Sequence, residues 1–373
     1  MAAVLFRLTV LPLDPSLSED SVRYRWQGMM QNAGGDPYLA TPREARWVGL
    51  RDATWPRVAG KDMTSAYGPV LEQLNLWCYR LSNRLAADPW AQVWLFKLPY
   101  ALADLGVGLA LMWLLSGMGL PQTWAAVYLW SPLAVTEFWI EGHNDAVAVA
   151  FALAALALAV RERRTWALAA LAAAVICKFW PVVLLPFLAV RRSGGRWKVE
   201  WRGLLVAAAV ACVLCWPYRS SIFAVRDVLL GFAGGWRNND SLFAVILHLA
   251  GGDMNVAAQV AKGALLLAVV GLRLKVAGPV AGGLAAICAL LLLAPNCFPW
   301  YLTWMLPLLA VHPLPPLLLW TVLAPLAYHV VPAYEAAGIW EYDAALTTME
   351  YVPVLGWLAC SAAGLMLRRG RKG

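Results

Sequence analysis

Hydrophobic residues in this chain come in long, nearly unbroken runs. They do not alternate as in a half-buried strand, nor fall at the three- and four-residue spacing of a surface helix. Apolar stretches lie near 91–115, 123–140, 145–160, 165–190, 203–218, 256–272, 278–295, 300–311, 315–331 and 351–367. A bilayer core ~30 Å thick takes ~20 apolar residues of helix to cross. Helices satisfy their own backbone groups in hydrocarbon. The pattern therefore predicts an all-α, polytopic transmembrane protein with about ten or eleven spans or half-spans. Residues 14–90 break the pattern and are expected to form a large first loop with interfacial helices, while 91–367 form the helical core of one membrane domain, 1–373. The stretch Met1–Leu13 is apolar except for Arg7, too short to span, and has no clear cleavage site. It is expected to be the tail of a first span that begins outside this sequence.

Composition agrees. Hydrophobic residues make up 61% of the 373 and charged residues only 14%, with a mean hydropathy of +0.61. That is too little charge for a soluble surface, and it also excludes a disordered chain or a disulfide scaffold. Lys plus Arg outnumber Asp plus Glu by 30 to 22. No basic stripe is interleaved with aromatics, so nucleic acid is not an expected partner. The basic residues cluster at Arg161–Arg164, Arg191–Lys198, Arg273 with Lys275, and Arg368–Lys372, and each cluster is expected on the cytoplasmic side. The segments 14–90, 141–145, 219–240, 296–299 and 332–350 then face outward. Segment 165–190 conflicts with a single crossing, because it is basic at both ends. Its centre reads Cys177-Lys178-Phe179-Trp180-Pro181. A Lys in an apolar run is costly and a Pro breaks the helix, so 165–177 and 179–190 are read as two short helices with Lys178 at their apex. One kinked helix with a snorkelling Lys is the alternative.

The outer segments hold the polar residues that invite chemistry. Asp20, Arg23 and Tyr24 put a carboxylate, a cation and a phenol on one helical turn, an arrangement suited to general-base work on a hydroxyl; a helix N-cap would use Asp20 as well. Glu137 and Glu141 share a helical face beside Gly142-His143-Asn144-Asp145. Ionisable groups at a membrane edge are functional by default, although Asn144 or Asp145 would also serve as a cap. Lys178 offers an ammonium to a phosphate oxygen. Lys97 and Asp104, seven apart on one face, are expected to pair structurally. Trp236 through Ser241 and Asn296 through Tyr301 complete the outer set, the latter also readable as an interfacial stop. Cys212 and Cys215 lie in an apolar run and read as helix-packing residues rather than a metal or redox pair. The four His show no ligand spacing, and no metal or other cofactor is expected.

In order, Asp20-x-x-Arg23-Tyr24-x-Trp26-x-Gly28, Pro37-Tyr38, Gly142-His143-Asn144-Asp145-Ala146, Lys178-x-x-Pro181 and Pro299-Trp300-Tyr301 resemble bacterial membrane glycosyltransferases of the GT-C type, most of all the polyprenyl-phosphate-mannose-dependent mannosyltransferase-like group. The resemblance spans nearly the whole chain. It implies a multi-pass protein of the plasma membrane with its active site on the extracytoplasmic face. It also implies a polyprenyl-phosphate sugar donor and a catalytic acid in the first outer loop, matched here by Asp20. Many relatives carry Asp where this chain has Gln27. The expected reaction is single displacement with inversion onto a glycolipid or polysaccharide hydroxyl. Lys178, with Arg23 or His143, would hold the donor phosphate. Tyr24, Tyr67, Glu141, Asn144, Asp145, Trp300 and Tyr301 would line the substrate site, and membrane lipid would surround it. A transporter or lipid flippase and a non-catalytic relative are the rival readings. A transporter fits less well, because no internal repeat is evident and the polar motifs crowd onto one side.

Overall fold

The computed structural model describes residues 2–276 and 278–370. Met1 of the apolar N-terminal stretch, and Arg371 and Lys372 of the last basic cluster, lie outside the described residues. The fold is all-α, about 73% helical, and the strands among the described residues form a single hairpin, Val190–Ser193 against Arg196–Val199. Among the described residues, four helices are long and apolar enough to cross a membrane: Pro89–Gly117, Trp201–Tyr218, Met254–Lys275 and Pro315–Ala337. Shorter apolar helices run over Asp145–Val160, Arg164–Cys177, Trp180–Ala189 and Pro279–Leu293. Lys97–Gly117, Asp145–Val160, Arg164–Cys177 and Trp201–Cys215 pack side by side in that order. Buried Ala146, Ala148, Ala152, Ala155 and Ala159 let these backbones approach closely.

Lys178 divides its apolar run. The helix Arg164–Cys177 stops there, with Lys178 in extended conformation. A 3-10 turn, Trp180–Leu184, and a short helix, Leu185–Ala189, then lead into the hairpin. Fourteen helical residues rise only ~21 Å, less than a bilayer core. Arg273, near the end of Met254–Lys275, donates from Nη2 to the Val190 carbonyl at 2.5 Å. The hairpin and that helix end therefore meet. The chain thus leaves a basic end at Arg164, reaches Lys178, and returns to a basic end at Arg191.

Three expectations are corrected. The stretch 123–140 is broken into pieces, ending in a π-turn at Thr136–Ile140. Pro132, which has no N–H to donate, starts a new turn within it. The stretch 300–311 folds as two 3-10 turns, Pro299–Trp304 and Leu306–Ala310, each with a proline at its start. The 219–240 loop contains a helix, Val225–Gly235. The first loop holds its own helices, Asp20–Asn32 and Pro69–Leu85. A side chain at Gly28 would put Cβ 2.2 Å from the Asn75 carbonyl oxygen, so only glycine allows these two to pack. Cys212 is exposed on its helix rather than packed, and Cys215 is half-buried.

The predicted Lys97–Asp104 pair does not form. Asp104 instead meets Arg7, Nε to Oδ2 at 2.5 Å, with both side chains fully buried. Tyr128 Oη and Trp139 Nε1 also donate to Asp104, at 2.5 and 2.8 Å. Lys97 sits a full two turns earlier, where its Nζ donates to the Leu11 and Leu13 carbonyls. The one charge in the apolar N-terminal helix, Ala2–Val10, is thus the partner of the one carboxylate inside Lys97–Gly117. Removing one member of such a pair leaves a buried charge uncompensated. Arg7→Met should cost about 3–5 kcal/mol, read as a fall in melting temperature in detergent, and Arg7→Met with Asp104→Leu should recover part of the loss. Equal melting of the single variant and the parent would show that the pair carries no weight.

Candidate active site

Asp20 opens the helix Asp20–Asn32. The preceding turn is fixed by Glu141, whose carboxylate accepts from the backbone N–H groups of Ser16, Leu17 and Ser18 at 3.0 to 3.1 Å. Ser21 Oγ donates to the Glu141 carbonyl at 2.5 Å. Glu141 was expected to touch substrate; it is instead the anchor that sets where Asp20 begins. Gly142 follows with φ +71°, a left-handed conformation, and a Cβ there would meet Lys97 Cγ at 2.9 Å and Ser21 Oγ at 3.0 Å. Both backbone and space demand glycine.

The Asp20 carboxylate does not cap its own helix. Its Oδ2 accepts from Tyr24 Oη at 3.0 Å and Tyr67 Oη at 3.3 Å. Tyr67 is positioned by Gly68, whose N–H donates to the Cys177 carbonyl at 3.0 Å and whose missing side chain would strike the Ile176 carbonyl. That contact sets Tyr67 beside Lys178, whose Nζ lies 5.6 Å from the phenol ring centre. Lys178 pairs with Asp145 Oδ2 at 2.5 Å, and Asp145 Oδ1 accepts from Trp304 Nε1 at 2.7 Å. Asp145 is fully buried and Lys178 nearly so.

Behind Asp20 stands His143, fully buried. Its Nε2 lies 3.9 Å from Asp20 Oδ2 and its Nδ1 3.0 Å from Glu137 Oε2. Glu137 in turn accepts from Tyr328 Oη at 2.8 and 2.9 Å. Burial pulls the imidazole's pKa down, but the Glu137, Asp20 and Asp145 carboxylates outweigh it and hold the ring above its usual range. The π-turn Thr136–Ile140 makes this geometry, since its wide loop brings Glu137 under the His143 backbone, His143 N to Glu137 O at 2.9 Å.

These groups border a cavity of about 720 Å³. Of the predicted site residues, Asp20, Tyr67, Lys178, Trp300 and Tyr301 line it. Tyr24, His143 and Asp145 lie directly behind that wall. Asn144 is fully buried, and neither atom of its amide has a hydrogen-bond partner among the described residues. Arg23 does not reach the cavity. Its guanidinium donates to the carbonyls of Ala59, Gly60 and Met63 at 2.6 to 3.0 Å, and so holds the loop that carries cavity residues Ala59 and Gly60. Gln27 is fully buried beside it; with the amide oxygen turned inward it accepts from Arg23 Nη2 at 2.9 Å. An Asp there would face Arg23, not the cavity. Sequence reasoning missed Tyr328 and Trp304, which sit in apolar runs and announce nothing by spacing. It saw Glu137 but not its place behind His143.

The rest of the lining divides by element. Phe243, Ala258, Ala261, Leu265, Leu290 and Leu291, from three neighbouring helices, make an apolar wall. Trp236, Trp340 and Tyr342 add aromatic faces. Trp340 Nε1 and Tyr342 Oη both donate to Asn238 Oδ1, so their polar atoms are already engaged.

Burial pushes Glu141 up to about 7, against the pull of His143 and its backbone donors. Burial likewise raises Glu72, at the contact of the first-loop helices, to about 7. A carboxyl raised on folding holds its proton longer in the folded state. Its contribution is complete below about pH 4.5 and is lost as pH rises through about 7. Melting temperature should therefore fall between pH 5 and 8, and Glu141→Gln with Glu72→Gln should flatten that slope. An unchanged slope would remove these two groups as its origin.

A family profile described as alpha-(1->6)-mannopyranosyltransferase, N-terminal domain, matches residues 2–193. The match takes in Asp20, Glu137, His143, Asp145 and Lys178. No curated protein matches the chain, and neither does any solved structure.

Proposed function

As that match covers more than half of its length, the chain belongs to the alpha-(1->6)-mannopyranosyltransferase family, and we propose that it moves mannose from a polyprenyl phosphate to a glycolipid or polysaccharide hydroxyl outside the plasma membrane. Family membership makes the protein a glycosyltransferase of mannosyl transfer. The donor, the acceptor and the membrane face are this reading's own. The observation that carries it is the make-up of the cavity. A carboxylate and an ammonium share it with an apolar wall built from helices, and a lipid phosphate needs both kinds of surface at once. The outward assignment rests on the basic clusters around Arg164, Arg191 and Arg273, which meet at the end of Arg164–Cys177 away from Lys178.

In this mechanism the acceptor hydroxyl gives its proton to Asp20 as its oxygen bonds to the anomeric carbon. The bond from that carbon to the phosphate oxygen breaks, and the electron pair leaves on the lipid phosphate. Attack from the face opposite the leaving group inverts the anomeric centre, as with single-base inverting glycosidases. Lys178 stabilises the charge that grows on the leaving oxygen. Asp145 fixes the ammonium in place, while further N–H donors remain for phosphate. The faces of Trp236 and Trp340 offer stacking surfaces for sugar rings.

The test uses protein in nanodiscs with synthetic polyprenyl-phosphate mannose and a glycolipid extract. Polyprenyl phosphate should be released only when the extract is present. A nucleotide-linked mannose should give no product. Lys178→Met should lower kcat/KM by about 10²-fold or more, with Lys178→Arg losing less. Transfer from the nucleotide sugar, or full activity in Lys178→Met, would contradict the donor assignment.

A further inference from the structure

The Glu137–His143 pair is the buried group that this mechanism leaves unused. It makes no contact with the cavity, and both side chains are fully buried. Such a pair is costly to build in an apolar fold unless something compensates it. What faces His143 is mostly acidic side chains. Asp20 approaches from the first loop, Glu137 and Glu141 from the turn before it, and Asp145 from the helix after it. Tyr328 reaches in from another element to bind Glu137, and the face of Trp300 stacks on the imidazole with centroids 4.2 Å apart. Of the cations in the cavity wall, Lys178 is held by Asp145 and Arg57 lies 3.9 Å from Glu19. An imidazolium is therefore the form that balances the surroundings of Asp20.

We propose that His143 is a positioning residue for Asp20: set between Glu137 on one side and Asp20 Oδ2 on the other, it holds the Asp20 carboxylate in place and leaves Oδ1 as the oxygen that takes the acceptor's proton. The proposal rests on the reading of Asp20 as the base. The geometry assigns the two oxygens different work. Oδ2 already accepts from Tyr24 and Tyr67 and faces His143 Nε2. With Oδ2 so engaged, proton transfer falls to the other lone pairs of the carboxylate. Glu137, with both oxygens near Tyr328 Oη, sets a carboxylate oxygen 3.0 Å from His143 Nδ1, a charge that favours the imidazolium. His143 therefore acts through Asp20 and not on the donor phosphate, which is where sequence reasoning set it.

The test is the pH dependence of kcat, measured from pH 4.5 to 9 in nanodiscs with saturating polyprenyl-phosphate mannose. His143→Gln keeps a donor of similar reach but loses the charge. Its acid limb should move to higher pH, because the positive charge that faces Oδ2 is gone. Activity should recover as pH rises, and donor KM should stay within about twofold. Glu137→Gln should instead add an alkaline limb that the parent lacks in this range, as the unsupported imidazolium loses its proton. A His143→Gln limb that stays in place while donor KM rises would overturn the proposal and make His143 a phosphate ligand. Uniform loss at every pH with normal melting would overturn it too. If His143→Gln fails to fold, Glu137→Gln decides alone: a new alkaline limb supports the proposal, and an unchanged profile overturns it. Full activity in Asp20→Asn would instead remove the base on which the proposal rests, a separate failure.

Discussion

An ammonium or a carboxylate is costly to bury alone inside an apolar bundle, and Lys178 and Asp145 offset that cost by meeting across the ends of two antiparallel helices. Asp145 is the first residue of Asp145–Val160, and Lys178 directly follows Arg164–Cys177. A carboxylate at a helix N-terminus and a cation at a C-terminus are each favoured by the helix dipoles. The pair thus satisfies two charges and two helix ends in one contact. Around it the chain must turn on both sides. On one side it passes through Glu141-Gly142-His143-Asn144, on the other through Phe179, Trp180 and Pro181. Those turns present Lys178 to the cavity and set His143 behind the place where Asp20 arrives.

Asp20 comes to this wall from far away in sequence, so its position depends on restraints in the first loop. Glu141 grips the three amides before it, and Arg23 grips the carbonyls of 59–63. Arg25 ties the same loop through Asp52 and Thr54 and reaches Gln92. These buried cations spend their donors on the protein itself, and they let the turn-rich loop 14–90 hold the Asp20 carboxylate in one place.

How legible was this from sequence? The break at Lys178 was legible because Lys and Pro both contradict a spanning helix and lie three residues apart. The Gly142–Asp145 turn was legible because so many polar groups at one point in apolar surroundings need a reason. The long runs gave the all-α class but not every span. Proline divides 123–140 and 300–311, and an average of hydropathy does not register a missing N–H. Arg7 looked like a blemish in an apolar stretch, and its partner Asp104 was assigned to Lys97 by helical spacing alone. Spacing ranks neighbours within one helix and cannot see a third element packed against it. Tyr328 and Trp304 were illegible for the same reason: each acts on a carboxylate more than 150 residues away.

The central claim is that Asp20 is the base of a transfer from lipid phosphate. The most direct measurement compares parent and Asp20→Asn in nanodiscs, following turnover of polyprenyl-phosphate mannose and binding of the same donor. The substitution keeps the shape and the contacts to Tyr24 and Tyr67 while removing the basic oxygen. The account predicts a fall in kcat of about 10²-fold or more with donor affinity nearly unchanged. Turnover at the parent rate would contradict it.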